Sequence, residues 1–269
     1  MDARYTGTRN RQNRSGAATT RAVLRYARRV QLAYARFGNG PPILKVPTWL
    51  SHLDYEWRTP IWEPLLAGLT KHHELVRFDS RGGGLSDWEV ENFSLELMAS
   101  DMATVAEATN LERPAVFGVS QGCAFSIRYA VEYPDRVKCL VLLGGYTRGQ
   151  LKRDVPNAEE LFSASQTFLR RGWGSTNPVY RQMFSANFIP EAAPKQKSGI
   201  DELQRVSISA ENAIRIGEVT AEIDISDLAK KVSVLTLVLH CEGDQVSPPC
   251  KCSTWESGSL GLIDSRCAN

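Results

Sequence analysis

The chain has 269 residues and a formal net charge of +2, a length that suits one large α/β domain or one domain with a sizeable insertion. Eight arginines and one aspartate lie in residues 1–30, so the rest of the chain is net acidic and lacks the basic face that nucleic-acid binding requires. No apolar run approaches the ~18 residues of a membrane span, which argues against a membrane protein.

The N-terminal segment and the cysteines indicate a cellular compartment. Residues 1–20 are polar and arginine-rich and lack the apolar core of a secretory signal, so we predict a disordered basic tail there. The six cysteines have neither the paired spacing nor the histidine partners of a zinc site. Together these features predict reduced thiols in a cytoplasmic protein.

From residue 30 onward, short apolar runs alternate with segments of helical periodicity. Predicted strands cover residues 30–38, 43–47, 73–80, 115–117, 138–146 and 232–240. Predicted helices cover 61–71, 94–111 and the stretch that follows Gly122. Residues 81–87 form a glycine-rich loop without the Gly-Lys-Ser/Thr ending of a phosphate-binding loop, so we interpret it as structural.

The alternation of strands and helices predicts the fold class. Strands and helices that alternate in this way are typical of βαβ units and a doubly wound, mostly parallel sheet. Residues 147–230 contain no convincing strand and many helical, polar stretches. We therefore predict an α/β core of residues 21–146 and 231–269, with a helical cap inserted at 147–230.

One pentapeptide, Gly118-Val119-Ser120-Gln121-Gly122, lies where a predicted strand meets a predicted helix. In that setting G-x-S-x-G places its serine on a sharp, strained turn and lifts the hydroxyl above the carboxyl edge of the sheet. Glycines flank the serine because a Cβ would collide with the neighbouring strand and helix. Ser120 is therefore a candidate nucleophile; the alternative is a tight turn whose serine only caps the helix.

Three further motifs accompany the pentapeptide: WLSHLDYEW at 49–57, DSRGGGLSDW at 79–88 and GGYTRG at 144–149. With GVSQG, they resemble the α/β-hydrolase superfamily from about residue 30 to about residue 249, and in particular its stand-alone and regulator-fused hydrolases. The resemblance implies the α/β-hydrolase fold and serine hydrolase chemistry, and it does not identify a substrate.

The resemblance also implies roles for individual residues. Ser120 matches the nucleophile, and the backbone N–H of Gln121 matches one oxyanion-hole donor. The second donor comes from the loop after the strand at 43–47, where the Trp49 N–H is the best candidate. Asp244, in LVLHCEGDQVSPP, matches the triad acid, with Glu242 as the fallback.

The base that the family pattern requires is missing. In that pattern the histidine follows the acid along the chain, whereas all four histidines here precede Asp244. His52, beside the oxyanion loop, and His240, at a strand end, are the candidate substitute bases, although a loop histidine held by a backbone hydrogen bond is the plainer interpretation of His52. His72 and His73 are expected at the amino end of the sheet.

The C-terminal end is also atypical. Three of the six cysteines lie in residues 250–269, and the helix that the family pattern places after the acid is not recognisable. We expect an incomplete C-terminal end with a short last strand near 260–263. Three explanations stay open: a frameshifted or truncated reading frame, a catalytically silent descendant, and a base supplied from elsewhere.

The combined prediction is a serine hydrolase that acts by acyl transfer on a small carboxylic ester, amide or lactone. It implies no metal and no organic cofactor, and its only predicted partner is this small-molecule substrate. Aromatic residues of the cap, among them Trp173, Phe184 and Phe188, would line a largely apolar acyl pocket near Ser120. The alternative is a non-catalytic ligand-binding or regulatory module that uses the same pocket.

Overall fold

The structure is a computed structural model that describes residues 20–27, 30–173, 175, 177–241, 244, 246–247 and 263–267, with the backbone alone for 20–27 and 263–267. Within these ranges eight strands form one sheet. They are β1 (Thr20–Ala27), β2 (Val30–Phe37), β3 (Pro42–Lys45), β4 (Glu74–Phe78), β5 (Ala115–Val119), β6 (Cys139–Leu143), β7 (Thr236–Cys241) and β8 (Ile263–Cys267). The predicted tail falls almost entirely outside the described residues.

The sheet is mostly parallel, and the predicted doubly wound fold is confirmed. Its strand order is β1-β2-β4-β3-β5-β6-β7-β8; only β1 and β2 run antiparallel to their neighbours. The chain moves outward from β3 to β4 and then returns to the other side of β3 with β5. The strand order reverses between β3 and β5, which is where open α/β sheets bind ligands at their carboxyl edge.

Eight α-helices and three short 3-10 turns connect the described strands. The helices are α1 (Trp62–Thr70), α2 (Leu95–Ala108), α3 (Gly122–Glu132), α4 (Ala158–Gly172), α5 (Pro178–Phe188), α6 (Pro194–Ser207), α7 (Ala210–Ala221) and α8 (Ser226–Ala229). The helix predicted over 94–111 is α2, whose first turn begins where the Ser94 hydroxyl accepts a hydrogen bond from the Leu97 N–H at 3.2 Å.

The apolar runs that predicted the strands form the core. Leu44, Val116, Leu140 and Leu142 lie in adjacent parallel strands and are almost completely buried. Fully burying a side chain of this size contributes about 1.5–3 kcal/mol. One segment escaped the prediction: β1 pairs with β2, although TRAVLRYA follows directly on the polar, arginine-rich tail.

The glycine-rich loop is structural, as predicted. Arg81 forms two hydrogen bonds to the Asp101 carboxylate, at 2.7 and 2.6 Å, and both side chains are buried. This bidentate, buried ion pair fixes the Arg81 guanidinium against helix α2. The same loop receives the helical segment, since the Gly84 N–H donates to the Ser207 carbonyl at 2.6 Å and the Asn212 side chain donates to the Gly82 carbonyl at 2.9 Å.

The segment between β6 and β7 holds α4 to α8. Among its described residues the β-structure consists of two isolated bridges, Arg148 to Asp224 and Ile208 to Gly83. The described part of this segment is thus helical, and it contacts the loop that follows β4.

At the C-terminal end, β8 pairs in parallel with β7. The last strand begins at Ile263, and residues 260–262 of the predicted strand lie outside the described residues. No helix in the described ranges is both long enough and apolar enough to span a bilayer.

Candidate active site

Ser120 lies on the turn between β5 and α3 with a φ of +53°, so the predicted strained turn is confirmed. Its N–H donates to the Leu143 carbonyl at 2.9 Å, and its carbonyl accepts from the Cys123 N–H at 3.0 Å. A serine with positive φ is uncommon and strained, and it persists only where the surroundings hold it. The turn is thus anchored to the end of β6 on one side and to the first turn of α3 on the other.

The glycine before this turn is required by close packing. A Cβ on Gly118 would lie 2.6 Å from the Ser126 hydroxyl and 2.8 Å from the Gly122 carbonyl oxygen, closer than atoms can approach. At Gly122 the constraint is milder, because its nearest neighbour, the Pro47 carbonyl oxygen, would be 3.3 Å away. The predicted collision therefore holds for the first glycine and is only a tight contact for the second.

The two predicted oxyanion donors belong to neighbouring segments of the fold. Gln121 directly follows Ser120, and Trp49 lies in the loop after β3, which the close approach of Pro47 to Gly122 brings against the start of α3. In the described part of the chain, neither the Gln121 N–H nor the Trp49 N–H donates a hydrogen bond. The positive end of the α3 dipole adds to the favourable environment for an anion.

Asp244 lies three residues beyond β7. Its Oδ1 accepts the N–H groups of Val246 at 2.9 Å and Ser247 at 2.7 Å, and its Oδ2 lies near the end of β6, 3.5 Å from where a Cβ on Gly144 would be. Burial opposes ionisation, but the hydrogen bonds from His240, Ser247 and Val246 outweigh it and hold the pKa of Asp244 below its usual value. Glu242 lies outside the described residues.

His240 is the histidine that the structure pairs with this acid. Its Nε2 is 3.5 Å from Asp244 Oδ2 and 2.5 Å from the Ser247 carbonyl oxygen. The hydrogen bond to Asp244 raises the pKa of His240 above 6.5, against the opposing effect of burial. Because Nε2 faces two acceptors, it carries the proton of the neutral ring, and Nδ1 is the nitrogen with the free lone pair.

His52 has a different environment. Its Nδ1 accepts the Tyr55 N–H at 3.2 Å, so the neutral ring carries its proton on Nε2 and offers a donor there rather than a base. His72 and His73 precede β4 at the amino end of the parallel strands. In the described ranges, which include all four histidines, no hydrogen bond joins the Ser120 hydroxyl to a histidine nitrogen.

An aromatic cluster covers the loop after β3. The Trp49 ring lies 5.4 Å from Trp173, 6.1 Å from Phe188 and 6.5 Å from Phe184, measured between ring centroids. The Trp173 indole N–H donates to the Ile208 carbonyl at 2.7 Å, which fixes this ring within the insertion. The three aromatic residues that the sequence analysis selected thus gather around the Trp49 ring.

Sequence reasoning missed Arg153, which connects the insertion to the acid loop. Its Nη1 donates to the Val246 carbonyl at 3.1 Å and its Nε to the Arg148 carbonyl at 2.7 Å. The guanidinium also lies 4.8 Å from the centre of the Tyr146 ring. No local sequence pattern predicts this contact, because Val246 is 93 positions further along the chain than Arg153.

Comparisons with known proteins agree with this architecture. Residues 41–176 match the model of the α/β-hydrolase fold family. The chain is 27% identical over 227 residues to pyrrolizixenacetamide deacetylase of Xenorhabdus hominickii, covering 81% of this chain and 79% of that protein. It is 25% identical over 197 residues to the putative carbamate hydrolase RutD of Escherichia coli, covering 72% and 71%.

Solved structures show the same fold. An esterase from Exiguobacterium antarcticum aligns with a TM-score of 0.77 at 20% identity, covering 91% of this chain and 89% of that one. The enol-lactonase from Burkholderia xenovorans LB400 aligns with a TM-score of 0.73 at 19% identity, covering 88% of both. The chain belongs to the α/β-hydrolase fold family and is a hydrolase of that type.

Proposed function

We propose that the chain is a serine hydrolase that transfers the acyl group of a small carboxylic ester, amide or lactone to water through Ser120. The observation that carries this proposal is the φ of +53° at Ser120, on a turn anchored to the end of β6 and to the first turn of α3. The similarity to proteins named as a deacetylase, a carbamate hydrolase and an esterase supports an acyl or carbamoyl carbonyl as the point of attack.

The proposed chemistry has two acyl-transfer steps. The Ser120 oxygen bonds to the substrate carbonyl carbon and loses its proton, and the carbonyl oxygen becomes an anion held by the Gln121 and Trp49 N–H groups. Collapse of this intermediate breaks the bond to the leaving group, which takes up a proton. Water then attacks the acyl-enzyme in the same way and releases the acid and the free serine.

The proton in these steps needs an acceptor. Of the two histidines near the carboxyl edge, His240 is the stronger candidate for this acceptor, because Asp244 already orients its ring and stabilises its protonated form. Its Nε2 faces Asp244 and Ser247, which leaves Nδ1 as the acceptor nitrogen, and no hydrogen bond joins His240 to the Ser120 hydroxyl in the described ranges. The missing hydrogen bond to the Ser120 hydroxyl predicts slow turnover, because an unassisted serine stays protonated at neutral pH.

Covalent labelling with a fluorophosphonate, followed by intact mass measurement, tests the proposal. We expect the wild-type protein to gain one adduct and Ser120→Ala to gain none. Ser163→Ala, a matched change at an exposed position of α4, should label like the wild type. Equal labelling of wild type and Ser120→Ala, or no labelling of either under conditions that label a reference serine esterase, contradicts the proposal and favours a non-catalytic ligand-binding module.

A further inference from the structure

The Asp79 carboxylate joins two loops that come from different parts of the fold. Asp79 directly follows β4 and its side chain is completely buried. Its Oδ2 accepts the Leu53 N–H at 3.1 Å and the Leu85 N–H at 2.9 Å. One oxygen atom therefore holds a residue of the loop after β3 and a residue of the glycine-rich loop at the same time.

Each of these loops contacts a different part of the candidate site. Leu53 belongs to the loop that carries Trp49, and the Ser80 N–H makes a second tie to this loop by donating to the Ser51 hydroxyl at 3.1 Å. Leu85 belongs to the glycine-rich loop, on which the insertion docks through the Gly84–Ser207 hydrogen bond. The carboxylate thus lies between the proposed oxyanion donor and the attachment of the insertion.

The packing leaves this carboxylate little freedom. Gly84 has a φ of +55°, and a Cβ there would lie 2.3 Å from Asp79 Oδ2, so the glycine backbone presses directly against the acid. We propose that Asp79 is a positioning residue that sets the place of the Trp49 loop relative to the glycine-rich loop. What this does for catalysis rests on the proposed function, in which the Trp49 N–H holds the oxyanion.

Charges around Asp79 make the connection sensitive to pH. Burial raises the pKa of Asp79 to about 6, against the lowering effect of the Leu85 and Leu53 N–H groups. The Glu56 carboxylate, in the 3-10 turn after the Trp49 loop, adds to the rise, while Arg77 on β4 opposes it.

Lys45 on β3 also interacts electrostatically with Asp79. In addition, Asp79 Oδ1 is buried without a hydrogen-bond partner in the described part of the chain, so the ionised form is only partly solvated. At low pH, protonation of Asp79 turns its two charge-assisted hydrogen bonds, from the Leu53 and Leu85 N–H groups, into weaker neutral ones. Both loops should therefore loosen together as the pH falls through about 6.

The experiment measures the two amide groups directly. Protein labelled with ¹⁵N-leucine is titrated from pH 5 to 8, with the Leu53 and Leu85 signals assigned from Leu53→Met and Leu85→Met. We expect both signals to shift with one shared midpoint near pH 6. Asp79→Asn should abolish this midpoint. Asp87→Asn is the matched control, since Asp87 lies in the same loop and accepts the Gln31 N–H at an exposed site; it should retain the midpoint.

Hydrolysis of p-nitrophenyl acetate supplies the second measurement. Asp79→Asn should lower kcat/KM about tenfold or more at pH 8, mainly through kcat, because a displaced oxyanion donor weakens binding of the transition state. Asp87→Asn should stay within about twofold of the wild type, since its bond lies outside the site. The wild-type rate should fall below pH 6 with the same midpoint as the leucine signals.

Two results would overturn the inference. One is separate midpoints, or none, for the Leu53 and Leu85 amides; the other is an Asp79→Asn protein that hydrolyses the ester as fast as the wild type. If the wild type hydrolyses no ester at all, the proposed function fails, and the leucine titration still decides whether Asp79 joins the two loops.

Discussion

His240, near the end of β7, faces Asp244, three residues beyond that strand, with the imidazole Nε2 3.5 Å from the carboxylate Oδ2. The pair combines the predicted triad acid with one of the two candidate substitute bases. Each member shifts the other toward its charged form, since the pKa of His240 is raised and that of Asp244 is lowered. The pair therefore links the stability of the fold to pH.

The stability of the protein should depend on His240 more strongly at low pH. Because folding raises the pKa of His240 above 6.5, its stabilisation is fully present below pH 6.5 and is lost as the pH rises through the folded-state value. Asp244 stays ionised at pH 5.5, since its pKa lies below 3.8. The difference in free energy of unfolding between wild type and His240→Gln should thus be larger at pH 5.5 than at pH 9.

Urea denaturation at the two pH values measures this difference. His72→Gln, a change at an exposed histidine, serves as the matched control and should show no comparable pH dependence. A His240→Gln effect that grows with pH would show that the imidazolium is not stabilised by Asp244.

Hydrolysis of short p-nitrophenyl esters should be slow and flat between pH 7 and 8.5. A triad without its histidine loses on the order of 10⁶ in turnover and keeps some ~10³-fold catalysis from the oxyanion hole and binding. The structure gives the Ser120 hydroxyl no histidine partner among the described residues, so no imidazole should titrate in this range.

Initial rates of wild type, His52→Ala and His240→Ala over this pH range provide the test. A rate that rises with a midpoint above 6.5 and becomes flat in His240→Ala would mean that His240 does act as the base during turnover. A rise abolished only by His52→Ala would assign the base to His52.

Two glycine substitutions should have opposite effects on stability. Gly118→Ala forces a methyl group to within 2.6 Å of the Ser126 hydroxyl, and overpacking of this kind costs about 1–3 kcal/mol. Gly68→Ala, in helix α1, meets no atom within 4 Å and should stabilise the protein by about 0.5–1 kcal/mol through helix propensity. Thermal unfolding of both variants checks the pair; equal effects would contradict the close packing at the turn.

Removal of the Arg153 charge should raise the pKa of His240. In the wild type the positive charge of Arg153 disfavours the protonated form of His240. Arg153→Met should therefore move the His240 titration to higher pH. With ¹³C-histidine, the four rings can be followed individually by NMR, and Arg170→Met on α4 is the exposed control. A His240 titration that stays in place or moves to lower pH would exclude Arg153 as an electrostatic neighbour.

The fold could be predicted largely from sequence because its signals are local. Buried parallel strands need continuous apolar runs, and the runs at 43–47, 115–117 and 138–146 overlap the strands β3, β5 and β6. The G-x-S-x-G pattern likewise encodes its own geometry, since only one tight turn accommodates Gly118 and a serine with positive φ. Strand β1 was missed because its local pattern is weak and its pairing with β2 creates the strand.

The arrangement of the site was decided by tertiary structure alone. The sequence determined that a serine lies on a strained turn and that a carboxylate follows a buried strand. It could not determine that His240 turns its Nε2 toward Asp244, that His52 is held by the Tyr55 N–H, or that Asp79 bonds to both Leu53 and Leu85. These contacts depend on side-chain rotamers and on loops that meet only once the sheet is assembled, and such long-range contacts leave no periodicity in the chain.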